Sequence, residues 1–516
     1  MASKTLFQSL RGMLHPRSDA INEAGGQAYA LTDRQALAQF AATGCLSDTF
    51  YATQQDQLER VLELAKGLPP EFVARVAVYS RERGFMKDMP ALLLAILAAG
   101  GHDELVTVFD RVVDNGRMLR NFVQILRSGV VGRKSLGTRP RRLVRQWLDS
   151  RSDRDLFFDS VGQSPSLVDI VRMVHPKPKS ASRSALFAWM LGKPYVEADL
   201  PGVVRDYLRF QSGDTEVVPD APFQMLTNLP LIAAEWSEIA RRAKWHMTRM
   251  NLNTFLRQGV LEDEAMCRVI AARLRDPEAI VRAKVFPYQI MTAYLNTSVA
   301  MPRAITDALQ DAMEIATANV PRFDGRVYVC PDVSGSMHSS VTGNRPGATS
   351  KVRCVDVAAL VAASILRVND AEVIPFTDRV ESVRLNARDT VMTNAHALAS
   401  VPPGATACSA PLRELNRRRA RGDLVILVSD NESWMDRSNW GYTQTLKEWR
   451  SYKRRNPKAR LVCIDIQPYS TVQAPPSEDI LHVGGFSDRV FDVIASFAES
   501  SRGADHWVSE IESIDL

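Results

Sequence analysis

The sequence lacks the short motifs that mark most enzyme and membrane-protein classes. Its 516 residues contain no Gly-x-Ser-x-Gly, no His-Glu-x-x-His and no Gly-x-x-x-x-Gly-Lys, and its eight histidines are dispersed. The longest apolar run, residues 89–99, is too short to span a bilayer. We therefore expect a protein that is not an enzyme, is monomeric and has no membrane partner.

Cysteine is also scarce, and its spacing excludes two common architectures. The six cysteines form no Cys-x-x-Cys pair: they are Cys45, Cys267, Cys330, Cys354, Cys408 and Cys463. Several lie within apolar runs, which predicts buried free thiols instead of a zinc site or a disulfide framework. Free thiols are typical of a reducing compartment. The N-terminus is basic, as in transit peptides, but has no apolar core or cleavage site, so we expect a cytoplasmic protein.

Charge is distributed unevenly along the chain. The net charge is +5, but residues 1–322 hold 41 Lys and Arg against 35 Asp and Glu, whereas residues 323–516 hold 23 against 24. Residues 117–154 alone have eleven Lys and Arg against two Asp, so their net positive charge exceeds that of residues 1–322 as a whole. These bases are Arg117, Arg120, Arg127, Arg133, Lys134, Arg139, Arg141, Arg142, Arg145, Arg151 and Arg154. The cluster predicts a phosphate-binding surface for RNA, with an ordinary solvated face as the alternative.

Two further stretches could contact RNA. Arg242, Trp245, Arg249 and Arg257 fall on one side of a helix predicted over residues 233–258, where arginines could hold phosphates and the indole could stack on a base. The alternative is a solvent-facing helix whose tryptophan packs inward. His175 and Lys177, just after another predicted helix, form a third basic point, although a histidine there can also be a capping residue.

Residues 32–320 follow a helical pattern almost throughout. Short amphipathic segments are separated by Gly and Pro breaks, which predicts stacked helical hairpins of the HEAT type, with a plain helical bundle as the alternative. The predicted helices cover residues 57–66, 71–83, 89–99, 105–114, 117–127, 139–149, 167–174, 182–190, 233–258, 263–274 and 302–318.

From residue 323 the pattern changes to short apolar strands that alternate with helices. The strands are predicted at residues 326–330, 372–376, 424–429 and 461–466, and the helices at 352–367, 443–452 and 489–498. This alternation predicts an α/β domain with a doubly wound parallel sheet. The chain is therefore multidomain, with a lead-in at residues 1–30, a helical-repeat domain at 31–322 and an α/β domain at 323–516.

Oxygen-bearing side chains follow the first strand of this α/β domain. After residues 326–330 come Asp332, Ser334 and Ser336, which a bend brings to one patch at the carboxyl end of the strand. Hard divalent cations such as Mg²⁺ prefer oxygen ligands, roughly six of them. The segment at residues 332–336 alone is also typical of a common turn with capping residues. A cation site therefore needs further ligands from elsewhere in the chain.

Two distant stretches offer those partners. Thr406 lies in a loop rich in Pro and Gly, and Asp430 directly follows the apolar strand at residues 424–429. In doubly wound sheets ligands bind beyond the carboxyl ends of the strands, where both residues are placed. The five side chains predict a site for one divalent cation, Mg²⁺ first, with Mn²⁺ or Ca²⁺ as alternatives. A Mg²⁺-dependent nuclease would need more carboxylates than Asp332, Asp430 and Glu432.

The order Asp-x-Ser-x-Ser, Thr, Asp resembles the metal-ion-dependent adhesion site (MIDAS) of von Willebrand factor A (vWA) domains. A helical-repeat region followed by a vWA domain resembles the Ro autoantigen family, whose helical part is called the TROVE domain. Local similarities support this resemblance at residues 31–40, 175–178, 250–255 and 286–288.

The resemblance implies both a fold and a function. In this family the TROVE domain forms a helical ring closed by the vWA domain, binds noncoding Y RNAs on its outer surface and admits single-stranded 3′ ends of misfolded RNAs. Bacterial members can be tethered by RNA to polynucleotide phosphorylase, which implies a scaffold in RNA quality control or decay. The sequence departs from the family at residues 156–164, which contain no Lys or Arg where the family has a basic helix. We therefore expect no preference for structured Y-like RNA. The alternative function is a protein-recognition scaffold, in which the cation captures an acidic partner.

Overall fold

The computed structural model describes residues 16–43, 48–49, 51–283, 285, 287–341, 352–436, 441–467, 469–484, 488–499 and 506–516. Contacts divide the chain into two compact units. The sheet unit comprises Met1–Leu64, Arg273–Val299 and Ile305–Ser513, and the helical unit comprises Ala65–Ala272, Ala300–Ala304 and Ile514–Leu516. The predicted domain boundaries, after residues 30 and 322, rest on changes in the sequence pattern and stay a prediction. The two units have other boundaries, because residues within 1–64 contact the sheet and this range is grouped with it.

The N-terminal part of the chain supplies two short strands and the first helices. These elements are β1 (Ala20–Ile21), β2 (Gln27–Ala30), α1 (Asp33–Thr43) and α2 (Gln54–Gly67). Strand β2 pairs antiparallel with β1 and also with residues Thr471–Val472, with Tyr29 opposite Val472. The beginning of the described chain is therefore part of the sheet unit.

The helical unit is built from short helices with brief connections. In chain order they are α3 (Pro70–Glu82), α4 (Asp88–Gly100), α5 (Glu104–Val112), α6 (Gly116–Ser128), α7 (Thr138–Ser150), α8 (Asp153–Asp159), α9 (Leu167–Val174), α10 (Ala181–Met190), α11 (Gly202–Ser212), α12 (Phe223–Leu226), α13 (Ala233–Arg242), α14 (Trp245–Met250), α15 (Leu252–Arg257) and α16 (Glu264–Leu274). Helix α9 has the predicted bounds.

Helix α6 shows how the local sequence fixes these helices. The side chain of Asn115 accepts a hydrogen bond from the backbone N–H of Met118 at 3.1 Å, which caps the first turn. One face of α6 is buried, with Met118, Leu119, Phe122, Val123 and Leu126 at helical spacing. The arginines of α6 are thereby left on the other faces.

The single helix predicted over residues 233–258 is wrong. The chain leaves α13 at Ala243, where ψ is 132°, and resumes as α14 and α15. Trp236 and Trp245 are nine positions apart, so one continuous helix would place them on opposite sides, about 180° apart. Both side chains are buried, and the break allows both to face the core.

The rest of the sheet unit alternates strands and helices. Its elements are α17 (Pro277–Arg282), α18 (Pro287–Leu295), α19 (Arg303–Ala316), β3 (Val327–Pro331), α20 (Cys354–Val368), β4 (Ala371–Val373), α21 (Val391–Ala399), α22 (Ala410–Arg417), β5 (Leu424–Ser429), α23 (Gln444–Arg455), β6 (Arg460–Asp465), β7 (Thr471–Val472), β8 (Ile480–Gly484), α24 (Asp488–Glu499) and α25 (His506–Glu512).

Five of these strands form one parallel sheet in the order β4-β3-β5-β6-β8. Strands β3, β5 and β8 are buried along their whole length, as expected for a sheet covered on both faces. The predicted fold class, a helical region followed by a doubly wound α/β domain, is confirmed. The described cysteines are buried free thiols, also as predicted, and Cys45 lies outside the described residues. Within the described chain, no helix is both long and apolar enough to cross a bilayer.

Gly26 offers a test of how the N-terminal strands are attached. A Cβ at this position would overlap the backbone oxygen of Ser433, whereas a Cβ at Gly67 would have nothing within 4 Å. We expect Gly26→Ala to lower the free energy of unfolding by about 1–3 kcal/mol, because the backbones must move apart. Thermal unfolding of Gly26→Ala and of the control Gly67→Ala measures this difference. Equal melting temperatures would contradict the close approach.

Candidate cation site and nucleic-acid interface

The parallel sheet brings the predicted cation-site residues together at its carboxyl edge. Strand β3 ends directly before Asp332, and β5 ends directly before Asp430. The loop with Thr406 approaches from the side, because the N–H of Gly335 donates to the carbonyl of Gly404 at 2.9 Å. All five predicted ligands are buried, with Asp332 and Ser334 fully inaccessible.

The Asp332 carboxylate is held in place by the residues around it. Its Oδ1 accepts from the N–H of Ser334 at 2.8 Å, and its Oδ2 accepts from the hydroxyl of Ser429 at 2.6 Å. The hydroxyl oxygens of Ser334 and Ser336 are 3.4 Å apart. Each carboxylate oxygen keeps a second lone pair, so these contacts leave Asp332 able to contribute to a cation.

Asp430 and Glu432 add two more acidic groups on the neighbouring strand end. The N–H of Glu432 donates to Asp430 Oδ1 at 3.2 Å, and a hydrogen bond links Asp430 to the side chain of Ser336. Glu432 is fully buried, and its Oε2 accepts from the N–H of Ala24 at 3.1 Å. Its Oε1 has no hydrogen-bond partner in the described part of the chain.

Burial of these acids is electrostatically unfavourable. Desolvation, followed by the charge of Asp430, raises the pKa of Asp332 to about 7. Desolvation likewise raises the pKa of Asp430, and together with the Asp430 charge it raises the pKa of Glu432 to about 9. A nearby divalent cation would offset these penalties. The oxygen-only donor set and the unsatisfied Oε1 therefore fit a hard cation.

The N-terminal part of the chain contributes a residue that the motif does not contain. A hydrogen bond joins the Tyr51 hydroxyl to Ser336, and the pKa of Tyr51 is raised by burial and then by the Asp430 charge. The ring of Tyr51 meets that of Tyr469 edge to face, with centroids 5.7 Å apart. Sequence reasoning missed Tyr51, since it is almost 300 residues from Asp332 and belongs to no recognisable motif.

Most of the basic residues predicted at positions 117–154, together with Lys177, fall into two groups in the helical unit. The first group has exposed charged ends that make no hydrogen bond or ion pair with any described residue. It consists of Arg117, Arg127, Lys134, Arg141, Arg142 and Lys177. These side chains are available to an external anion.

The second group is engaged by the protein itself. Arg133 donates to the carbonyl of Ala98 at 2.7 Å, and Arg139 donates to the carbonyl of Gly101 at 2.8 Å and pairs with Asp103. Beyond residue 150, Arg154 is paired with Asp220, and Arg151 lies over the ring of Trp147. These arginines hold helices together, so the charge run is partly structural.

Arg145 connects two predicted basic stretches. Its Nε donates to the carbonyl of Val174, the last residue of α9. His175 follows as the left-handed cap of that helix, with φ of 50°, and Lys177 is exposed just beyond. Arg141 and Arg142 lie one turn before Arg145 on α7, so the fold places both stretches on neighbouring elements.

The predicted stretch at residues 242–257 is less suited to RNA. Trp245 is 6% exposed and therefore unavailable for stacking on a base. Arg242 pairs with Glu238 at 2.5 Å and donates to the carbonyl of Val218, and Arg249 lies over the Trp245 ring. Arg257 donates to Thr254 at 3.2 Å. The structure favours the alternative in which the indole packs inward.

Residues 156–164, which contain no Lys or Arg, have basic side chains next to them in space. Arg117 and Arg120 of α6 line a cleft together with Val161, Gly162 and Gln163. Arg120 donates to the carbonyl of Asp159 at 2.7 Å. The sequence order conceals this proximity, because some 40 residues separate the two segments.

The C-terminal part of the chain matches a known domain family. A model of the Ro60 vWA domain family matches residues 326–498. The RNA-binding protein RO60 of Deinococcus radiodurans is 26% identical over 541 aligned positions, which cover 96% of this chain and 99% of that protein. The protein of the same name from Caenorhabditis elegans is 23% identical over 311 positions, or 57% of this chain and 44% of that one.

The crystal structure of the Deinococcus radiodurans RO (RSR) protein shares the fold. It superposes with a TM-score of 0.64 at 22% identity and covers 91% of this chain and 100% of its own. The chain thus has a helical region followed by an α/β domain, and residues 326–498 match the Ro60 vWA domain family. The resemblance to the Ro family is confirmed.

Proposed function

We propose that this chain binds RNA without catalysing a reaction on it, and that it recognises single-stranded ends of noncoding or misfolded RNAs. The observation that carries the proposal is the group of six exposed Arg and Lys side chains without an acidic partner among the described residues. Phosphate neutralisation by such residues supplies most sequence-independent affinity. The relatives named RNA-binding protein RO60 support the same function.

The cellular role that follows is a cytoplasmic scaffold in RNA quality control or decay. RNA held by the helical unit would connect the protein to a nuclease such as polynucleotide phosphorylase. Crosslinking in cells, followed by sequencing of the bound RNA, tests this role. Enrichment of RNA 3′ ends supports it, and recovery of no RNA above background contradicts it.

The vWA domain is proposed to hold one divalent cation, Mg²⁺ first. Asp332 and Asp430 supply charge, and the hydroxyls of Ser334, Ser336 and Thr406 act as neutral ligands. Such a cation would neutralise the buried acids at this edge of the sheet and offer a position to a partner's carboxylate. Glu432, with its unsatisfied Oε1, fits an outer position around the ion.

Tyr51 is expected to strengthen cation binding. Its hydroxyl bonds Ser336, one of the proposed ligands, so Tyr51→Phe should weaken Mn²⁺ or Mg²⁺ binding roughly three- to tenfold, as the loss of one hydrogen bond does. Titration calorimetry measures the affinity. Tyr29→Phe is the matched control, because the Tyr29 hydroxyl donates to the carbonyl of Pro16 at 3.0 Å instead. Equal affinities of the two variants would contradict the role of Tyr51.

Protein recognition is a second candidate function, favoured by two exposed apolar side chains. Trp434 and Met435 are 41% and 46% exposed, a few residues after Asp430. Their N–H groups donate to the carbonyl of Thr406, which fixes this loop beside the proposed ligands. The absorbance ratio at 260 and 280 nm of the purified protein separates the candidates. RNA that survives a salt wash favours RNA binding, and clean protein with a specific acidic partner favours recognition of proteins.

A further inference from the structure

A cleft in the helical unit combines arginines with side-chain amides. It has a volume of about 390 Å³ and lies between α6, the loop that follows α8, and α12. The residues that matter are Arg117, Arg120, Gln124, Gly162, Gln163 and Gln224, and we call this the amide cleft. Neither Asp nor Glu is among the described residues that line it. Its volume falls within the range of small-ligand sites.

One arginine of the amide cleft is held in a fixed position. The Nη1 of Arg120 donates to the carbonyl of Asp159 at 2.7 Å. A Cβ at Gly162 would lie 2.7 Å from the Nη2 of Arg120 and 2.8 Å from its Cζ, and Gly162 has φ of 116°. The backbone conformation at this position therefore favours glycine, and a larger side chain would displace the guanidinium, which lies directly against the loop.

The other side chains of the amide cleft have unused hydrogen-bonding capacity. Gln124, Gln163 and Gln224 are exposed, and their amides have no partner in the described chain. Arg117 is also exposed and unpaired, and its charge lowers the pKa of nearby Lys87, after the larger effect of burial. The cleft thus offers positive charge and three amides, each with donors and an acceptor.

We propose that the amide cleft binds one unpaired nucleotide of an RNA strand. The phosphate lies against Arg117 and Arg120, and the base edge is bonded by the amides of Gln124, Gln163 and Gln224. Amide side chains recognise base edges because they donate and accept in one plane, and single-stranded RNA exposes those edges. The carboxylates of an acidic peptide also pair with arginines, and a polyglutamate competitor distinguishes such a peptide from RNA. This inference rests on the proposed RNA binding and adds a site that recognises the base.

The test compares two RNA-like strands of equal charge. One is a single-stranded oligonucleotide with all its bases, and the other is an abasic ribose-phosphate strand of the same length, both fluorescently labelled and titrated with the full chain. The triple variant Gln124→Ala, Gln163→Ala, Gln224→Ala should lose about tenfold in affinity for the strand with bases. It should bind the abasic strand as wild type does and keep the same salt dependence. The control replaces two other exposed glutamines of the helical unit that are not on α7, Gln211 and Gln258, by Ala.

A second pair of variants tests the fixed arginine. Gly162→Ala displaces Arg120 and should weaken binding of both strands. Gly192→Ala also places Ala at positive φ, 65°, but has nothing within 4 Å and should not change affinity.

The possible outcomes separate the site from the proposed function. If wild type binds both strands but the triple variant shows the wild-type preference for bases, the nucleotide site is wrong and RNA binding stands. If wild type binds neither strand, the proposed function fails and this site fails with it. A polyglutamate competitor that displaces RNA as well as an unlabelled strand of equal charge also overturns the site.

Discussion

Asp332→Ala is expected to abolish binding of Mg²⁺ or Mn²⁺, measured as the loss of heat in titration calorimetry at millimolar metal. This result is expected because Asp332 is one of only two charged groups among the five proposed ligands and is fully buried beside the other ligands. RNA affinity should be unchanged in the same variant, since the proposed RNA-binding residues belong to the helical unit.

Two further variants make this prediction specific. Asp389→Ala removes an exposed acid of the same unit and should leave the heat of binding at the wild-type value. Asp332→Asn keeps the shape of the buried side chain and should lose the metal as Asp332→Ala does, which separates the lost charge from local unfolding. Equal heats for wild type and Asp332→Ala, or no heat for either, would mean that the motif is only a turn.

The second large effect is expected from charge reversal on α7. Arg141→Glu with Arg142→Glu should weaken binding of a 3′-overhang RNA roughly tenfold or more and reduce the log–log salt slope by about 1.4, or 0.7 for each lost phosphate contact. These residues are chosen because both are exposed and make no side-chain hydrogen bond or ion pair in the described chain. Fluorescence anisotropy at several salt concentrations measures both quantities.

A control with the same change in charge separates local contact from net charge. Lys193→Glu with Arg209→Glu reverses two other exposed basic residues of the same unit, neither of which makes a side-chain hydrogen bond or ion pair in the described chain. The control should retain most of the affinity and a near wild-type slope. If both double variants lose affinity equally, the α7 surface has no special role.

The cation site could be predicted from the sequence only in part. Asp332, Ser334, Ser336, Thr406 and Asp430 follow strands and loops whose apolar pattern is clear, so their convergence at one edge follows from the parallel sheet. Tyr51 and the contact between Ala24 and Glu432 could not be predicted, because tertiary packing alone brings these segments together. Strand β8 was missed for a related reason: His482 interrupts its apolar pattern, yet is buried and hydrogen-bonds the carbonyl of Ala474.

The basic surface shows a different limit of sequence reasoning. A count of charges treats Arg133 and Arg141 alike, but the first donates to a backbone carbonyl and the second is unpaired. An arginine is engaged in this way only where a neighbouring helix ends beside it and exposes a backbone carbonyl, and this depends on the tertiary structure. For the same reason, reversal of Arg139 or Arg145 would disturb helix packing as well as RNA binding, and these two residues are unsuitable as tests.

The contact of the N-terminal strands with the loop after β5 has a consequence for protein synthesis. The side chain of Asn22 donates to the carbonyl of Ser433, 411 positions later, and β2 pairs with β7. The ribosome makes the chain from its N-terminus at about 5–20 residues per second, so residues 16–30 wait roughly 20 seconds or longer for their partners. During this time β2 has an unpaired edge, which is prone to pair with other chains. A chaperone that protects the nascent N-terminus should therefore raise the yield of soluble protein.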